Sequence, residues 1–354
     1  MSGGEYDDYE DDFEDETPPP TPGDVIPPPI GLTNLESGHD DYYADRSPVS
    51  SGPWTHITLQ ELDVTERLAS GGMGAVHSGY YRGRPVAIKT LHDTSPAALG
   101  AVEAELQIHA SLRHCRVVEL IGASLEPPGC CIVMEQCERS LFEKLHRRPE
   151  EMSRRQSVGI ALQVAEGMAF LHSRRPPIVH RDLKSHNVLL DHNGDTKLCD
   201  FGLVNTREVT AGTPNYMAPE LFLAKSHSTP VDVFAFGVLL NELWAREVPW
   251  DGYSPLDIKD KVTGVREERP PIPRTMPYAC ETLLHKLWHA KPEKRPTFAE
   301  AIPSIEAIID TLPSDRGGLG GSLGIDSLDA LDSLAGLSLK PTSRPGGRRT
   351  TTDW

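Results

Sequence analysis

The stretch "HRDLKSHN", residues 180–187, crowds His180, Arg181, Asp182, Lys184 and Asn187 into eight positions, shortly after the apolar segment "GIALQVAEGMAFLHS" of residues 159–173. One charged turn behind a buried helix is ordinarily solvated surface. It becomes chemistry only if the rest of the chain supplies partners, and three other segments offer them.

Downstream, Asp200 in "CDFG" is a carboxylate suited to Mg2+, a hard cation that takes oxygen ligands, and Asn187 is a neutral oxygen donor for a second such contact. Upstream, the run "LASGGMGAV", residues 68–76, contains Gly71 and Gly74, which let backbone N–H groups approach phosphates closely, with Val76 as an apolar lid on a base. Alone, such a run reads as a hairpin turn. Thirteen residues past Val76, however, "VAIK" places Lys89 on a strand pattern, where an ammonium beside a glycine turn can hold nucleotide phosphates. A lysine in a low-dielectric cleft wants an opposite charge. The helical stretch from Ala97 to Leu112 offers Glu103 and Glu105, and the spacing to "LRH" selects Glu105.

In this order the glycine loop, VAIK, HRDLKSHN, DFG at Asp200 to Gly202 and "APE" at Ala218 to Glu220 resemble the protein kinase signature set, over about residues 60–312. The resemblance implies an α+β, bilobal fold: a small β-sheet N-lobe with one helix (56–134) and a large, mainly α-helical C-lobe (138–312). It implies ATP and Mg2+ as cofactors and protein substrates as partners. Lys89 would grip the α- and β-phosphates while paired to Glu105, Asn187 and Asp200 would hold the metal, and Asp182 would accept the substrate hydroxyl proton with Lys184 beside it. Leu68, Gly71, Gly74, Val76, Ala87 and Leu189 would enclose the nucleotide. The hinge "MEQC", residues 134–137, would contribute backbone groups of Glu135 and Cys137. Structural roles fall to His180, Arg181, Phe201, Gly202, Thr213 and Asp232, and Glu220 with Arg295 is similar to the family's buried ion pair.

Lys184 and Thr213 in "GTPNYMAPE" look like serine/threonine kinases, and "YYRGRPVAIKTL" with "LWHAKPEKRPTF" resembles the tyrosine-kinase-like group. The implied activity is therefore transfer of the ATP γ-phosphoryl group to protein serine or threonine. The alternatives are a nucleotide-binding pseudokinase scaffold and a dual-specificity kinase. Pseudokinases typically lack one of the key residues, whereas Lys89, Asp182, Asn187 and Asp200 are all present. Thr210, then Thr206, are the expected targets of an upstream activating kinase, with the phosphate pairing to Arg181. Three departures from the family pattern stand out: Ala69 at the first loop glycine, His109 four residues after Glu105, expected to pack by its ring, and Asn205 where a basic residue is usual.

The formal charge of -17 is unevenly placed, since residues 1–45 hold 14 Asp or Glu and no Lys or Arg. The remainder is nearly neutral and lacks the basic stripe that neutralises nucleic-acid phosphates, so DNA and RNA are not expected partners. Residues 1–55, acidic and proline-rich, are expected to be disordered, and residues 313–354 read as a low-complexity Gly/Ser/Leu tail. Six cysteines without metal-ligand spacing, an N-terminus too acidic for a signal peptide and no apolar run of about 18 residues point to reduced thiols and a cytoplasmic chain without a membrane span. The segment "STPVDVFAFGVLLNELW" is apolar nearly all round, which predicts the buried central rod of its lobe, with Thr229 as N-cap, Pro230 at the first helical position and Asp232 three residues after the cap.

Overall fold

A computed structural model describes residues 54–71, 74–127, 129–200, 212–225 and 228–314. Phe201, Gly202, Asn205, Thr206 and Thr210, the acidic stretch before residue 54 and the tail after residue 314 lie outside the described residues.

The chain enters a five-stranded antiparallel sheet through β1 (Leu62–Gly71), β2 (Gly74–Tyr81) and β3 (Arg84–Leu91). Arg82 and Gly83, both at positive φ (51° and 77°), make the tight β2–β3 connection, the geometry that matches a hairpin turn to strand twist. Helix α1 (Pro96–Ala110) follows, started by Pro96 and by the Ser95 hydroxyl, which accepts from the Ala98 N–H at 3.3 Å. Strands β4 (Leu120–Ser124) and β5 (Cys131–Glu135) complete the sheet in the order β1-β2-β3-β5-β4. Its two faces are sealed separately: Val86, Ile88 and Val133 form one apolar cluster, and Leu106 of α1 packs with Ala123 and Ile132 in another.

Beyond the hinge come β6 (Arg139–Ser140), a π-turn (Glu143–Arg147) and α2 (Arg154–His172). Strands β7 (Val188–Leu190) and β8 (Thr196–Leu198) then pair with β6 in a small sheet, and the loop of residues 180–187 is strung between α2 and β7. The remaining helices are α3 (Pro219–Phe222), α4 (Pro230–Ala245), α5 (Pro255–Thr263), α6 (Tyr278–Leu287) and α7 (Phe298–Thr311). The architecture is bilobal, sheet-rich before residue 135 and mostly helical after it.

Every residue of α4 from Val231 to Trp244 is buried, so the helix is the rod that its apolar sequence requires. Its start differs from the expectation. Pro230 does open the helix, but Thr229 has helical backbone angles and makes no side-chain cap. Asp232 is drawn away from the helix end by partners in the loop of residues 180–187, as described below.

Candidate active site

The loop is fixed from beneath. The buried Asp232 carboxylate accepts the backbone N–H groups of His180 and Arg181, each at 2.8 Å, and meets His172 Nε2 at 2.8 Å. Arg181 sits at φ 68°, a conformation that costs a non-glycine residue energy and persists where surrounding bonds impose it. The wholly buried His180 ring reaches the Cys199 carbonyl at 3.1 Å, tying the loop to the residue before Asp200. Asp200 itself is at φ 64°.

Around Asp182 the expected residues converge. Its Oδ1 accepts the Thr213 hydroxyl at 2.7 Å and the Thr213 N–H at 3.0 Å, while Oδ2 accepts Asn187 Nδ2 at 3.0 Å and pairs with Lys184 Nζ at 3.1 Å. Lys184 Nζ also donates to the Thr213 hydroxyl at 2.7 Å, closing a ring of three side chains, Asp182, Thr213 and Lys184, with Asn187 attached to it. Burial alone would push the Asp182 carboxyl up, but the Lys184 charge and the Thr213 hydroxyl outweigh it and hold the group below the usual carboxylate range. The carboxylate is therefore ionised, oriented and able to take a proton.

Lys89 departs from the expected pairing. Its Nζ lies 3.8 Å from Asp200 Oδ1, and among the described residues no ion pair joins it to Glu105. Glu105 is close enough to feel Lys89, yet burial and then the like charge of Asp200 work against its ionised form, and its carboxyl is pushed up. The Lys89 ammonium lies near both carboxylates and is paired with Asp200. His109, one turn further along α1, is buried with its Nε2 at 2.7 Å from the Val118 carbonyl; burial pushes its pKa down, which fits a ring used for packing.

Three of the residues expected around the nucleotide, Val76, Ala87 and Leu189, are half-buried. Val76 pairs across the sheet with Lys89, Ala87 with Met134, and Leu189 is the middle residue of β7. Leu68 lies at an irregularity of β1, 46% exposed, and Ala69 is in regular register opposite Val76. Both Glu135 carboxylate oxygens are held by Lys197 Nζ at 3.1 Å and one also accepts the Glu119 N–H, while the Glu135 N–H donates to the Glu119 carbonyl at 3.0 Å. Burial, with the Glu135 charge, pushes the Cys137 thiol up to about 12, so it stays neutral. Gly71 pairs with Gly74, and a Cβ on Gly74 would stand 1.7 Å from the Thr90 carbonyl oxygen. Close approach of β2 to β3, which the sequence does not announce, is thus sufficient reason for this glycine.

A second network escaped the sequence reading. Glu242 of α4 is wholly buried and receives Ser185 Oγ at 2.7 Å, Tyr216 OH at 2.8 Å and His146 Nε2 at 2.9 Å. The available signal was Glu242, a second carboxylate besides Asp232 in an otherwise apolar helix, which must find donors inside the fold. The Glu220–Arg295 pair forms as expected, bidentate at 2.6 and 2.9 Å, with Arg295 also donating to the carbonyls of His289 and Pro230.

The family model of the protein kinase domain matches residues 62–304, well over half of the 354-residue chain. A probable serine/threonine-protein kinase of Dictyostelium discoideum is 34% identical over 81% of this chain and 30% of its own length. The serine/threonine-protein kinase CTR1 of Arabidopsis thaliana is 35% identical over 73% of this chain and 32% of its own. The dual specificity protein kinase shkC of Dictyostelium discoideum is 32% identical over 80% of this chain and 58% of its own. The chain thus spans about a third of the first two relatives' length, and it belongs to the protein kinase family.

Protein kinases use ATP with a divalent metal. The residues present fit such an ion: Asp200 Oδ1 is buried without a hydrogen-bond partner, and Asn187 spends its amide nitrogen on Asp182.

Proposed function

We propose that the chain is a serine/threonine protein kinase that transfers the γ-phosphoryl group of Mg-ATP to protein hydroxyls, with its catalytic unit in residues 56–312. The observation that carries this reading is the Asp182 carboxylate, kept ionised by Lys184 and aimed by Thr213 and Asn187. Asp182 takes the proton of the acceptor hydroxyl, and Lys184 offsets charge on the transferring group. Asn187 and Asp200 would hold the metal, which when bound supplies neutralisation of phosphate charge. Lys89 holds the α- and β-phosphates beside the Gly71 and Gly74 backbone, while Leu68, Val76 and Ala87 close on the adenine from one side and Leu189 from the other, with the Glu135 and Cys137 main chain at the hinge. Serine/threonine choice rests on Lys184 and Thr213 and on the names of the relatives. A dual-specificity reading is favoured only by shkC, and phosphoamino-acid analysis separates the two.

The test is incorporation of labelled phosphate from Mg-ATP by the purified chain beside Asp182→Asn. Loss of a general base lowers the rate by about 10²–10⁴-fold. Phosphoserine or phosphothreonine that disappears in the variant supports the proposal, and nucleotide binding without transfer by either chain sinks it in favour of a scaffold. Activation belongs to the same proposal: phosphorylation of Thr210, or of Thr206, by an upstream kinase creates a partner for Arg181. Thr210→Ala and Thr206→Ala, singly and together, are expected to lower activity. A cytoplasmic setting accords with six free thiols, and among the described residues no helix is long and apolar enough to cross a membrane.

A further inference from the structure

A groove of about 810 Å³ opens at the start of α2, among residues with no part in phosphoryl transfer. Leu145, Pro149 and Met152 give it an apolar lining, and Arg154 and Arg246 bring two guanidinium groups to it. Both are anchored by neutral acceptors. Arg154 donates to the Trp244 carbonyl at 2.6 Å and lies over the Trp244 ring, 4.7 Å from its centroid. Arg246 donates to the Met152 carbonyl at 3.0 Å and to the Ser157 hydroxyl at 3.1 Å. Among the described residues no carboxylate forms an ion pair with either. Burial and the neighbouring Arg154 charge push the Arg246 guanidinium down, the direction expected where two cations share a groove without an anion between them. Of the two acids in the lining, Glu150 is taken by Arg139 and by Lys144, and Glu151 is exposed.

The described chain leaves the fold at the same place. Arg155, next to Arg154 in the first turn of α2, donates to the carbonyls of Ile309 at 2.6 Å and Leu312 at 3.3 Å, at the end of α7. Forty residues follow Ser314. The first ten, 315–324, include five glycines, and a glycine-rich chain of that length has a root-mean-square span of roughly 17 Å. Next comes "IDSLDALDSLAGL", residues 325–337, where Ile325, Leu328, Leu331, Leu334 and Leu337 recur at every third place. Asp326, Asp329 and Asp332 lie between them, with no Lys or Arg. Aliphatic side chains and three carboxylates answer an apolar lining with two guanidinium groups, which pair well with carboxylates. The acidic residues 1–45 lack this apolar repeat and lead instead into the β-sheet, where the Ile57 N–H donates to the Ala123 carbonyl at 2.9 Å.

We propose that residues 325–337 dock in this groove of their own chain, with aspartates on Arg154 and Arg246 and aliphatic side chains on Leu145, Pro149 and Met152. The proposal goes beyond the kinase reading and does not depend on it. A short tether holds such a segment at a millimolar effective concentration, so a dissociation constant of about 0.1 mM leaves the groove occupied roughly ten to one. The test follows amide exchange over residues 149–157 and 325–337 in the full chain, beside a full-length variant carrying Asp326→Lys, Asp329→Lys and Asp332→Lys. These positions lie beyond the matched domain of residues 62–304, so the variant keeps that fold. Exchange over both segments is expected to quicken about tenfold in this variant, and likewise in Leu328→Ser with Leu331→Ser. Salt narrows the difference between wild type and the lysine variant, because Arg154 is exposed. Adding Arg154→Glu to the lysine variant reverses the charges on both sides and is expected to restore part of the protection. Equal exchange over residues 149–157 in wild type and both tail variants overturns the inference, whatever else fills the groove. Protection that rises with protein concentration assigns the groove to a second copy and overturns docking within one chain.

Discussion

Glu105 shows what a single half-buried carboxyl does to both stability and activity. Its folded pKa is raised, so the native state favours the protonated form; stability associated with this group is present below the unfolded value of about 4.5 and is lost as pH rises through the folded value. Glu105→Gln, which cannot ionise, is therefore expected to raise the melting temperature near neutral pH, with the gain fading in acid. The same variant should lower phosphoryl transfer, because Lys89 then has no second carboxylate to settle against when substrate draws it from Asp200. A melting curve at two pH values beside a rate measurement checks both signs. The residue identities at this site were legible in the sequence: Asp182, Lys184, Asn187 and Thr213 meet within 3.1 Å. The Lys89 partner was not, since spacing along α1 does not show how close Asp200, more than a hundred positions on, comes to the same ammonium.

At the scale of elements, α2 is started by bonds that are local. Ser153 accepts from the Gln156 N–H at 3.0 Å while Gln156 returns a bond to the Ser153 N–H at 2.9 Å, a reciprocal cap for α2. Ser153→Ala is expected to cost about 1 kcal/mol, measured by chemical denaturation. Gly74→Ala should cost about 1–3 kcal/mol, because β2 and β3 must part to admit a methyl that would otherwise sit 1.7 Å from a carbonyl oxygen. The start of α4 shows the limit of such signals. Thr229, Pro230 and Asp232 have the pattern of a capped helix, yet Asp232 serves His180 and Arg181, some fifty positions earlier in the chain. Sequence patterning assigned the helix and its burial correctly, and it could not see a tertiary claim on the carboxylate.

Across the whole molecule, the bilobal outline implied by the protein kinase resemblance is the one found, with the change from strands to mostly helices falling near residue 135. The Glu220–Arg295 pair joins α3 to the segment ahead of α7, 75 positions apart, with both guanidinium arms engaged. Arg295→Ala leaves a buried carboxylate without its partner and is expected to destabilise the fold by about 3–5 kcal/mol, enough to show in a denaturant midpoint. The Glu242 network has a different reach. Its four members are His146, Ser185, Tyr216 and Glu242, so 96 positions separate the first from the last. No nascent fragment ending before residue 242 can complete it, and until then Ser185 and Tyr216 lack their shared acceptor. The loop that carries Asp182 should therefore acquire its final protection from amide exchange late, and in step with α4, which ties the birth of the active centre to the arrival of one glutamate.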